Sequence, residues 1–281
     1  MSRPWKRFYA NRGALVGAVL VVLVFSLALL APVFAPHDPL QPFYETGLTA
    51  QGAPVPPGGE FLLGTDRLAR DVWSRLLYGA RISLLIGVVG NVVVLAIGLV
   101  LGLVAGYFGG LVDAFVMRLT DFVLSFPFML LVITLVTVLD RPGLGNVILV
   151  LALVGWTTMA RVIRGKVMAL AQLPFVEAAV SQGMSHFYIL RKLIFPNVLG
   201  PLIVLSTVGV AGVILTESVL SYLGLSVPLP SPTWGGMISE GQPYFRTAPW
   251  LMFAPGVAIL MTVLGFNLLG DGLRDALDPR G

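Results

Sequence analysis

Long apolar runs without a single charge constrain this chain more than any other feature. Residues 13–34 and 82–108 are two such runs. Each is long enough to cross the hydrocarbon core of a bilayer, which takes about 20 residues of helix. Only 11% of the residues are charged, whereas a soluble domain has about 25%. The outer wall of the folded chain must therefore face lipid.

A bilayer offers the backbone no hydrogen-bond partners, so only helices or a closed barrel can span it. The apolar runs are continuous, and the alternation of apolar and polar residues that is typical of strands is absent. The sequence therefore predicts an all-α membrane protein with six transmembrane helices. The predicted spans are residues 13–34, 82–108, 112–139, 146–167, 197–220 and 250–269.

The first predicted span could be mistaken for a secretory signal. Its apolar run is too long for the core of such a signal, and no small-residue cleavage pattern follows it. We interpret it as an uncleaved anchor.

Six spans place both termini on one side of the membrane, and the basic residues indicate that this side is the cytoplasm. In this orientation the cytoplasmic segments carry Arg3, Lys6, Arg7, Arg12, Arg161, Arg164, Lys166, Arg191, Lys192, Arg274 and Arg280. The outer segments carry the smaller set of Arg67, Arg70, Arg75, Arg81, Arg141 and Arg246. The bias favours an N-in, C-in topology in the cytoplasmic membrane.

The first outer segment, residues 35–77, begins with an irregular stretch rich in proline and glycine. Near its end, Thr65 or Asp66 could cap a short helix. Leu68, Val72 and Leu76 would then share one face of that helix. The sequence therefore predicts an amphipathic helix lying at the membrane interface.

The second outer segment, residues 221–249, contains five prolines and cannot form one regular helix. Trp234, Tyr244 and Trp250 suit an aromatic belt at the membrane interface. Taken together, these features divide the chain into two parts. Residues 1–80 hold a cytoplasmic tail, the anchor helix and the outer loop with its interfacial helix. Residues 81–281 hold a five-helix core with a cytoplasmic segment at 174–196.

Motifs of enzymatic chemistry are absent. The chain has no cysteine and two distant histidines, so no metal site is expected. The phosphate-binding pattern G-x-x-x-x-G-K-[ST], the G-x-S-x-G elbow and the H-E-x-x-H helix do not occur. The sequence therefore predicts no catalytic residue and no cofactor in this chain. The net charge of +4 is explained by basic residues that orient a membrane protein, and nucleic acid is not an expected partner.

Polar residues within the predicted spans are Asn91, Asp121, Glu217 and Asn267. A carboxylate in lipid costs about 2.5–3.5 kcal/mol on insertion scales, so such residues should face the bundle interior or a partner. For Asp121 an ion pair with Arg118 is favoured over a proton relay. Glu217 either bonds the backbone of a nearby loop or lines a pathway. Asn267 has the same two possible roles, structural or pathway-lining.

Gly98, Gly102 and Gly106 recur every four residues in the second span. They create a stripe of small residues on one helix face, which favours close helix packing. The partner helix could belong to this chain or to another subunit.

Residues 174–196 form a polar segment between two spans, with Arg191 and Lys192 near its end. The pattern predicts a short helix, a break that Gly183 permits, and a second short helix, and Pro196 ends the segment before the fifth span. Ala178 and Ala179 allow another surface to approach closely. Glu177 can cap a helix or form an ion pair. A rigid segment of this kind could transmit motion from a soluble motor to the spans. The alternative is a basic cytoplasmic loop without a partner.

The order of residues in this segment resembles the "EAA" loop of bacterial ABC importer permeases. It reads Glu177-Ala178-Ala179, then Gly183, then Leu193 and Phe195-Pro196. More closely, the chain resembles the C-type permease of the dipeptide/oligopeptide/nickel importer family. Segments 63–66, 70–75, 79–84, 220–225, 234–235, 248–250 and 267–280 also carry the resemblance, so that it covers nearly the whole chain. One departure is Val180-Ser181-Gln182, where the family usually has Arg-Ala-Leu.

The resemblance implies a type I importer fold and a set of partners. These are a B-type permease subunit, two cytoplasmic ATPase subunits that hold ATP and Mg, and an extracytoplasmic solute-binding protein. It also implies that the segment at 174–196 docks on an ATPase. The residues that would make this coupling loop are Glu177, Ala178, Ala179, Gly183, Met184, Ser185 and Pro196.

The residues alone are compatible with other functions. Within the same family the cargo could be di- or oligopeptides, nickel or another small solute. A stand-alone ion-coupled transporter could use Asp121 or Glu217 as its proton site, although no inverted repeat is evident. An intramembrane enzyme would need a nucleophile and base, or a set of metal ligands, within the spans, and none is found.

Overall fold

The computed structural model describes residues 3–139 and 143–277, and these contain helices and loops but no strand. Arg141 and residues 278–280, which were used above, lie outside this part. The helices in chain order are α1 (Arg3–Ala10), α2 (Arg12–Leu29), α3 (Ala31–Phe34), α4 (Val72–Phe108), α5 (Gly110–Leu124), α6 (Phe128–Leu139), α7 (Leu144–Ala171), α8 (Pro174–Ser181), α9 (His186–Tyr188), α10 (Phe195–Tyr222), α11 (Trp234–Gly241) and α12 (Trp250–Leu277). A π turn, Ile189–Ile194, joins α9 to α10, and a 3₁₀ turn, Gln242–Tyr244, follows α11.

In the described part of the chain, five helical stretches are long and apolar enough to span a membrane. They are α2, α4, α7, the continuous stretch His186–Tyr222 and α12. Helices α5 and α6 pass the same test as a pair, although the chain bends by 87° between them. Whether this pair forms one crossing depends on whether α7 runs parallel or antiparallel to α4.

Helix α7 runs parallel to α4, as the glycine stripe shows. A Cβ at Gly98 would lie 2.6 Å from Met159 Cβ. One at Gly106 would lie 2.7 Å from the carbonyl oxygen of Arg164. Residue numbers increase in the same direction along both helices, so the two helices are parallel. The chain must therefore return across the membrane between them. The bent pair α5–α6 is that return, and the six predicted spans are confirmed as six crossings. The stripe packs within this chain.

An even number of crossings brings the two ends of the described chain together. The side-chain amide of Asn11, just before α2, donates a hydrogen bond of 3.0 Å to Asp275 in the last turn of α12. Farther along the pair, a Cβ at Gly272 would lie 2.2 Å from Ala14 Cβ. Both ends of the described chain therefore lie at one end of the bundle. The C-terminal end of α4 and the segment at 174–196 lie at that same end.

Helices α4 and α10 form the centre of the bundle. Ile86 of α4 and Ile214 of α10 are completely buried, each in a different apolar cluster. Across its most apolar 18 residues, α7 is 56% buried, whereas α2 is only 17% buried. The first span is therefore a peripheral helix, and much of its surface faces lipid or another subunit.

The predicted interfacial helix at 65–77 is wrong, because residues 65–71 form a turn instead. Asp66 accepts the backbone N–H groups of Leu68 and Arg70 at 2.9 and 3.0 Å, and Ala69 adopts a left-handed φ of 59°. A left-handed residue cannot continue an α-helix. Asp71, not Thr65 or Asp66, caps the next helix by accepting the N–H of Ser74. Helix α4 then runs from Val72 into the membrane, through residues 80 and 81 without a break.

Prolines explain two further departures from the predicted spans. The first span ends at Leu29, and α3 starts at Ala31, because Pro32 has no N–H to continue the ladder. Pro127 lies in the break between α5 and α6 for the same reason. The sixth span extends to Leu277, eight residues past the predicted end.

The prediction that Trp234 belongs to an interfacial belt is also wrong. Its side chain is 1% exposed and packs in the cluster between α4, α10 and α12. The indole N–H donates to the carbonyl oxygen of Leu76 at 3.1 Å. Tyr244 and Trp250 are half-buried at the outer end. Helix α11 therefore folds back against the bundle instead of lying at its rim.

Candidate functional site

Helix α8 begins the segment at 174–196, referred to below as the cytoplasmic segment. Pro174 stands at its first position, where the missing N–H costs nothing. Val176 and Ala179 are buried against Ile189 and Ile194 of the following turn. Glu177 and Ala178 are exposed on the opposite side. The acidic side chain thus lies in the first turn of α8, where the helix dipole favours negative charge, and remains available to a partner.

Gly183 ends α8 in the left-handed conformation, with a φ of 72°. Its N–H bonds the carbonyl oxygen of Val180 at 3.0 Å, and the N–H of Met184 bonds that of Ala179 at 3.1 Å. This pair of bonds is the Schellman motif, which favours glycine because its left-handed residue has no Cβ penalty. The helix–glycine–helix pattern expected from the sequence is present.

Ser185 starts the second helix of the segment. Its hydroxyl accepts the N–H of Tyr188 at 3.3 Å, which is an N-cap bond. The sequence prediction set this helix apart from the fifth span, with Pro196 at the end of the segment, but the structure shows no break there. The π turn at Ile189–Ile194 comes just before this proline and carries the helix on into α10. The second helix of the segment is therefore one rigid body with a membrane-spanning helix.

The cytoplasmic segment also contacts the inner end of α4. The Tyr107 hydroxyl lies 2.9 Å from Nδ1 of His186. The imidazole ring packs edge to face against Tyr107 and is 5.6 Å from the ring of Phe108. Directly after these aromatic residues, Gly109 and Gly110 both have positive φ, at 64° and 53°. The segment thus touches α4 next to its junction with α5.

Several large apolar side chains of the segment are exposed, although they lie at the end of the bundle rather than along its lipid-facing wall. These exposed residues are Phe175, Val180, Met184, Phe187 and Tyr188. Phe187 is 70% exposed. Exposed apolar patches of this kind mark sites of contact with another protein or with a membrane.

Asp121 pairs with α7 and not with its own helix. Arg161 Nη2 donates to Asp121 Oδ1 at 2.5 Å, so the predicted pair with Arg118 is wrong. The reason is that α5 packs beside α7, which presents Arg161 to it. A second pair of the same kind was missed from the sequence: Arg164 makes a two-pronged contact with Asp113, with Nη2 and Oδ2 2.5 Å apart. The spacing of Arg161 and Arg164 on one helix was the available signal.

Glu217 is completely buried inside the chain. The hydroxyl groups of Ser83 and Ser226 each donate to its carboxylate at 3.2 Å. The side chain therefore bonds the hydroxyl of a loop serine rather than loop backbone. It connects α4, α10 and the loop after α10. Asn267 is half-buried in α12.

A buried ionic cluster at the outer end was not foreseen. Arg75 of α4 is 1% exposed and lies 2.9 Å from Glu240 of α11 and 3.3 Å from Asp66. Arg70 bonds the same two carboxylates at 3.0 and 2.7 Å. Through Glu240 the cluster joins the first outer segment to the second, in ion pairs between residues 165 and 170 positions apart in sequence. Two of the outer arginines counted in the charge bias are thus neutralised in the fold.

Comparisons with known proteins agree with the geometry. Residues 98–280 match a family described as the inner membrane component of binding-protein-dependent transport systems. Residues 1–52 match the N-terminal transmembrane domain of oligopeptide transport permease C.

Relatives of known name align along nearly the full chain. The oligopeptide transport system permease protein OppC of Bacillus subtilis is 41% identical over 98% of this chain and 90% of its own length. The dipeptide transport system permease protein DppC of Escherichia coli K12 is 42% identical over 98% of this chain and 92% of its own. The DppC protein of Bacillus subtilis is 40% identical over 98% and 84%.

Among solved structures, the MetNI methionine ABC transporter in an inward-facing conformation has a similar fold. The TM-score is 0.59 at 20% identity, over 74% of this chain and 97% of the other. The likeness confirms a type I importer permease fold.

Proposed function

Because the chain belongs to the family of binding-protein-dependent transport inner membrane components, we propose that it imports di- and oligopeptides as one permease subunit of an ATP-driven importer. The family places it in the cytoplasmic membrane as a multi-pass permease of an ABC importer. The observation that supports the cargo is the agreement between two comparisons. The N-terminal match is to an oligopeptide permease, and the relatives at about 40% identity are named for oligopeptides or dipeptides.

Family members work together with other permease, ATPase and binding-protein components. For this chain the proposed partners are a B-type permease in a heterodimer, two cytoplasmic ATPases that carry ATP and Mg, and an extracytoplasmic binding protein that delivers the peptide. The weakly buried first span and the thinly packed α5, in which Val116 and Thr120 are the buried residues, leave surface for the second permease.

The cytoplasmic segment is the proposed coupling loop. Its exposed apolar residues and the exposed Glu177 and Ala178 offer a surface to an ATPase. The helix after Gly183 continues into α10, and His186 contacts α4. A displacement of the segment therefore reaches two central helices directly. In this proposal, closure of the ATPases around ATP moves the segment and switches the permeases between inward-facing and outward-facing states.

Docking is tested with charges placed in the apolar surface of the segment. Val180→Asp and Met184→Asp should remove the ATPases from the purified complex, because each carboxylate would have to be desolvated in the contact. The B-type permease should remain bound. Phe245→Asp is the control, since Phe245 is exposed at the outer end. Retention of both ATPases by the two segment variants would contradict the proposed docking site.

The cargo is tested in vesicles that contain the whole importer and its binding protein. We expect ATP-dependent accumulation of a labelled dipeptide, together with stimulation of ATP hydrolysis by the loaded binding protein. Nickel ions supplied in the same way should neither accumulate nor stimulate. Nickel uptake without peptide uptake would replace the proposed cargo by the other family alternative. Peptide uptake driven by a pH gradient, with the ATPases absent, would contradict the proposed mechanism.

A further inference from the structure

A cavity of about 320 Å³ lies between α7 and α10, with α4 as its floor. Its volume falls at the lower end of the range of about 300–1,000 Å³ that is typical of small-molecule sites. Residues that line it and carry the argument are Asn91, Thr158, Gly209, Gly212 and Thr216. No part of the cytoplasmic segment and none of the ion pairs described above contributes to it.

The cavity lies near the middle of the membrane. Thr158 is at the centre of α7, which covers Leu144–Ala171, and Gly209 is at the centre of α10, which covers Phe195–Tyr222. Asn91 of α4 meets Gly209, since a Cβ at this glycine would lie 2.2 Å from Asn91 Oδ1. Three helices thus bring their midpoints to one place. Importers of other classes hold their cargo at this depth.

Two polar groups of the cavity have no partner within the described chain. Asn91 is 2% exposed, and its Nδ2 donates to the carbonyl oxygen of Ser206 at 2.8 Å. No described residue donates a hydrogen bond to its Oδ1. Thr158 is exposed, and its hydroxyl makes no hydrogen bond to the described residues, whereas the hydroxyl of Thr216 bonds the carbonyl oxygen of Gly212 at 2.9 Å. Polar groups without partners are costly in hydrocarbon.

A second cavity shows what a lipid-facing groove of this molecule looks like. It has a volume of about 440 Å³ and lies between α2, α4 and α12. Apolar side chains line it, and the indole N–H groups of the three tryptophans among them all donate to backbone carbonyl oxygens. Acyl chains could fill that groove at no polar cost. The same chains over Asn91 and Thr158 would leave an acceptor and a hydroxyl unsatisfied.

We propose that the cavity at Asn91 and Thr158 is a contact site for the peptide during its passage. This inference rests on the proposed function. Asn91 Oδ1 accepts a hydrogen bond from a backbone N–H of the peptide, and the Thr158 hydroxyl donates one to a peptide carbonyl oxygen. The remaining lining is apolar and takes up one side chain. Because the hydrogen bonds reach only the backbone, the site accepts many sequences and limits the size of the side chain.

Gly212 allows the size limit to be tested without disturbing the fold. A Cβ at this position meets no atom within 4 Å, and the glycine is in a helix. Gly212→Leu should lower the uptake of leucyl-leucine at least tenfold and that of glycyl-glycine less than threefold. The control is Gly256→Leu in α12, where the space is equally open and the cavity is remote. Equal uptake of leucyl-leucine by both variants would overturn the inference.

Thiol labelling tests whether the site is wet. The chain has no cysteine, so Thr158→Cys introduces a single thiol. The importer used should have no accessible cysteine in its other subunits. A water-soluble methanethiosulfonate should then label this thiol, because the reagent reacts with the thiolate, and a thiol ionises readily only where water reaches it. Saturating leucyl-leucine, delivered by the binding protein, should slow labelling at least fivefold. The control is Leu260→Cys, which is exposed in the middle of α12 and should stay unlabelled.

The outcomes separate this inference from the proposed function. If the wild-type importer takes up peptide but Thr158→Cys is unlabelled, or is labelled without protection, the cavity faces lipid or a partner helix and the inference fails. Loss of the B-type permease from the Gly212→Leu complex would likewise assign the cavity to subunit packing. If the wild-type importer takes up no peptide, the proposed cargo fails, and the peptide in this site fails with it.

Discussion

The Tyr107 hydroxyl lies 2.9 Å from Nδ1 of His186, and this contact joins the last turn of α4 to the cytoplasmic segment. Among the described residues, it is the only hydrogen bond between the segment and α4. The two glycines that follow Phe108 have positive φ and end the helix there. A push on the segment therefore acts on α4 at the point where the chain turns into α5.

Tyr107→Phe removes this hydrogen bond and keeps the ring. A neutral hydrogen bond contributes about 0.5–1.5 kcal/mol, so the population of the productive arrangement should fall about two- to tenfold. We expect a matching fall in the number of peptides imported per ATP hydrolysed, with the ATPases still bound. Tyr44→Phe is the control, because Tyr44 is exposed in the first outer segment, far from the cytoplasmic segment, and its hydroxyl bonds no described residue. A ratio unchanged in Tyr107→Phe would show that the contact carries no coupling.

Gly183→Ala tests the turn between the two helices of the segment. A Cβ at Gly183 meets no atom within 4 Å, so the cost arises from its φ of 72° alone. The left-handed conformation costs an L-residue about 1–2 kcal/mol. We expect weaker retention of the ATPases during purification. Gly200→Ala in α10 should have no such effect, since its surroundings are equally open and its conformation is helical. Equal retention by both variants would argue against a fixed turn.

Much of the fold was predictable because the bilayer simplifies the problem. An apolar run of sufficient length must be a helix, so six crossings could be predicted from hydropathy alone. The turn at Gly183 was predictable for a local reason, since a glycine after a short helix readily adopts the left-handed conformation that ends the helix. Both features depend on neighbours in sequence.

The errors come from contacts between residues that are distant in sequence. Arg75 was counted only among the basic residues of the outer segments, but it forms a buried ion pair with Glu240, which lies 165 positions away. Asp121 pairs with Arg161 because α5 packs beside α7, which no local pattern indicates. The cavity at Asn91 was missed for the same reason. Asn91 was recognised as polar, yet only the meeting of three helices makes a site of it.

Arg75→Met should destabilise the outer end of the molecule. The arginine is buried between Glu240 and Asp66, and its loss would leave the two carboxylates to Arg70 alone. Breaking a buried ion pair from one side costs about 3–5 kcal/mol. We expect a clear fall in the thermal denaturation midpoint of the purified protein. Arg67→Met in the same loop is the control, because Arg67 is exposed and should shift stability by about 0.5 kcal/mol or less. Equal midpoints would contradict a stabilising cluster.

Gly102→Ala tests the packing of α4 on α7. A Cβ at Gly102 would lie 2.7 Å from the carbonyl oxygen of Ala160, a backbone atom that cannot turn aside. The helices would have to separate, at a cost of about 1–3 kcal/mol for overpacking. Gly165→Ala in α7 should instead be neutral or stabilising, since nothing lies within 4 Å of its Cβ. Thermal denaturation of both variants checks the prediction. An unchanged denaturation midpoint in Gly102→Ala would contradict close packing of α4 on α7 at the stripe.

The pair formed by Asp113 and Arg164 should hold α5 against α7. Both side chains are partly buried, and Arg164 Nη2 lies 2.5 Å from Asp113 Oδ2. Helix α5 buries only Val116 and Thr120 within the described chain, so this ion pair is a large part of its attachment. Asp113→Arg alone should lower both the denaturation midpoint and transport, because two arginines would then repel each other.

The charge exchange Asp113→Arg with Arg164→Asp should recover much of that loss, since the attraction is restored in reverse. The coupling energy from the four proteins of this cycle measures the pair itself. Asp121→Arg with Arg161→Asp provides a comparison, because that pair is at least half exposed and should couple by about 1 kcal/mol or less. If the exchange at positions 113 and 164 recovers nothing, the two side chains act separately, and α5 must be held in place by the second permease.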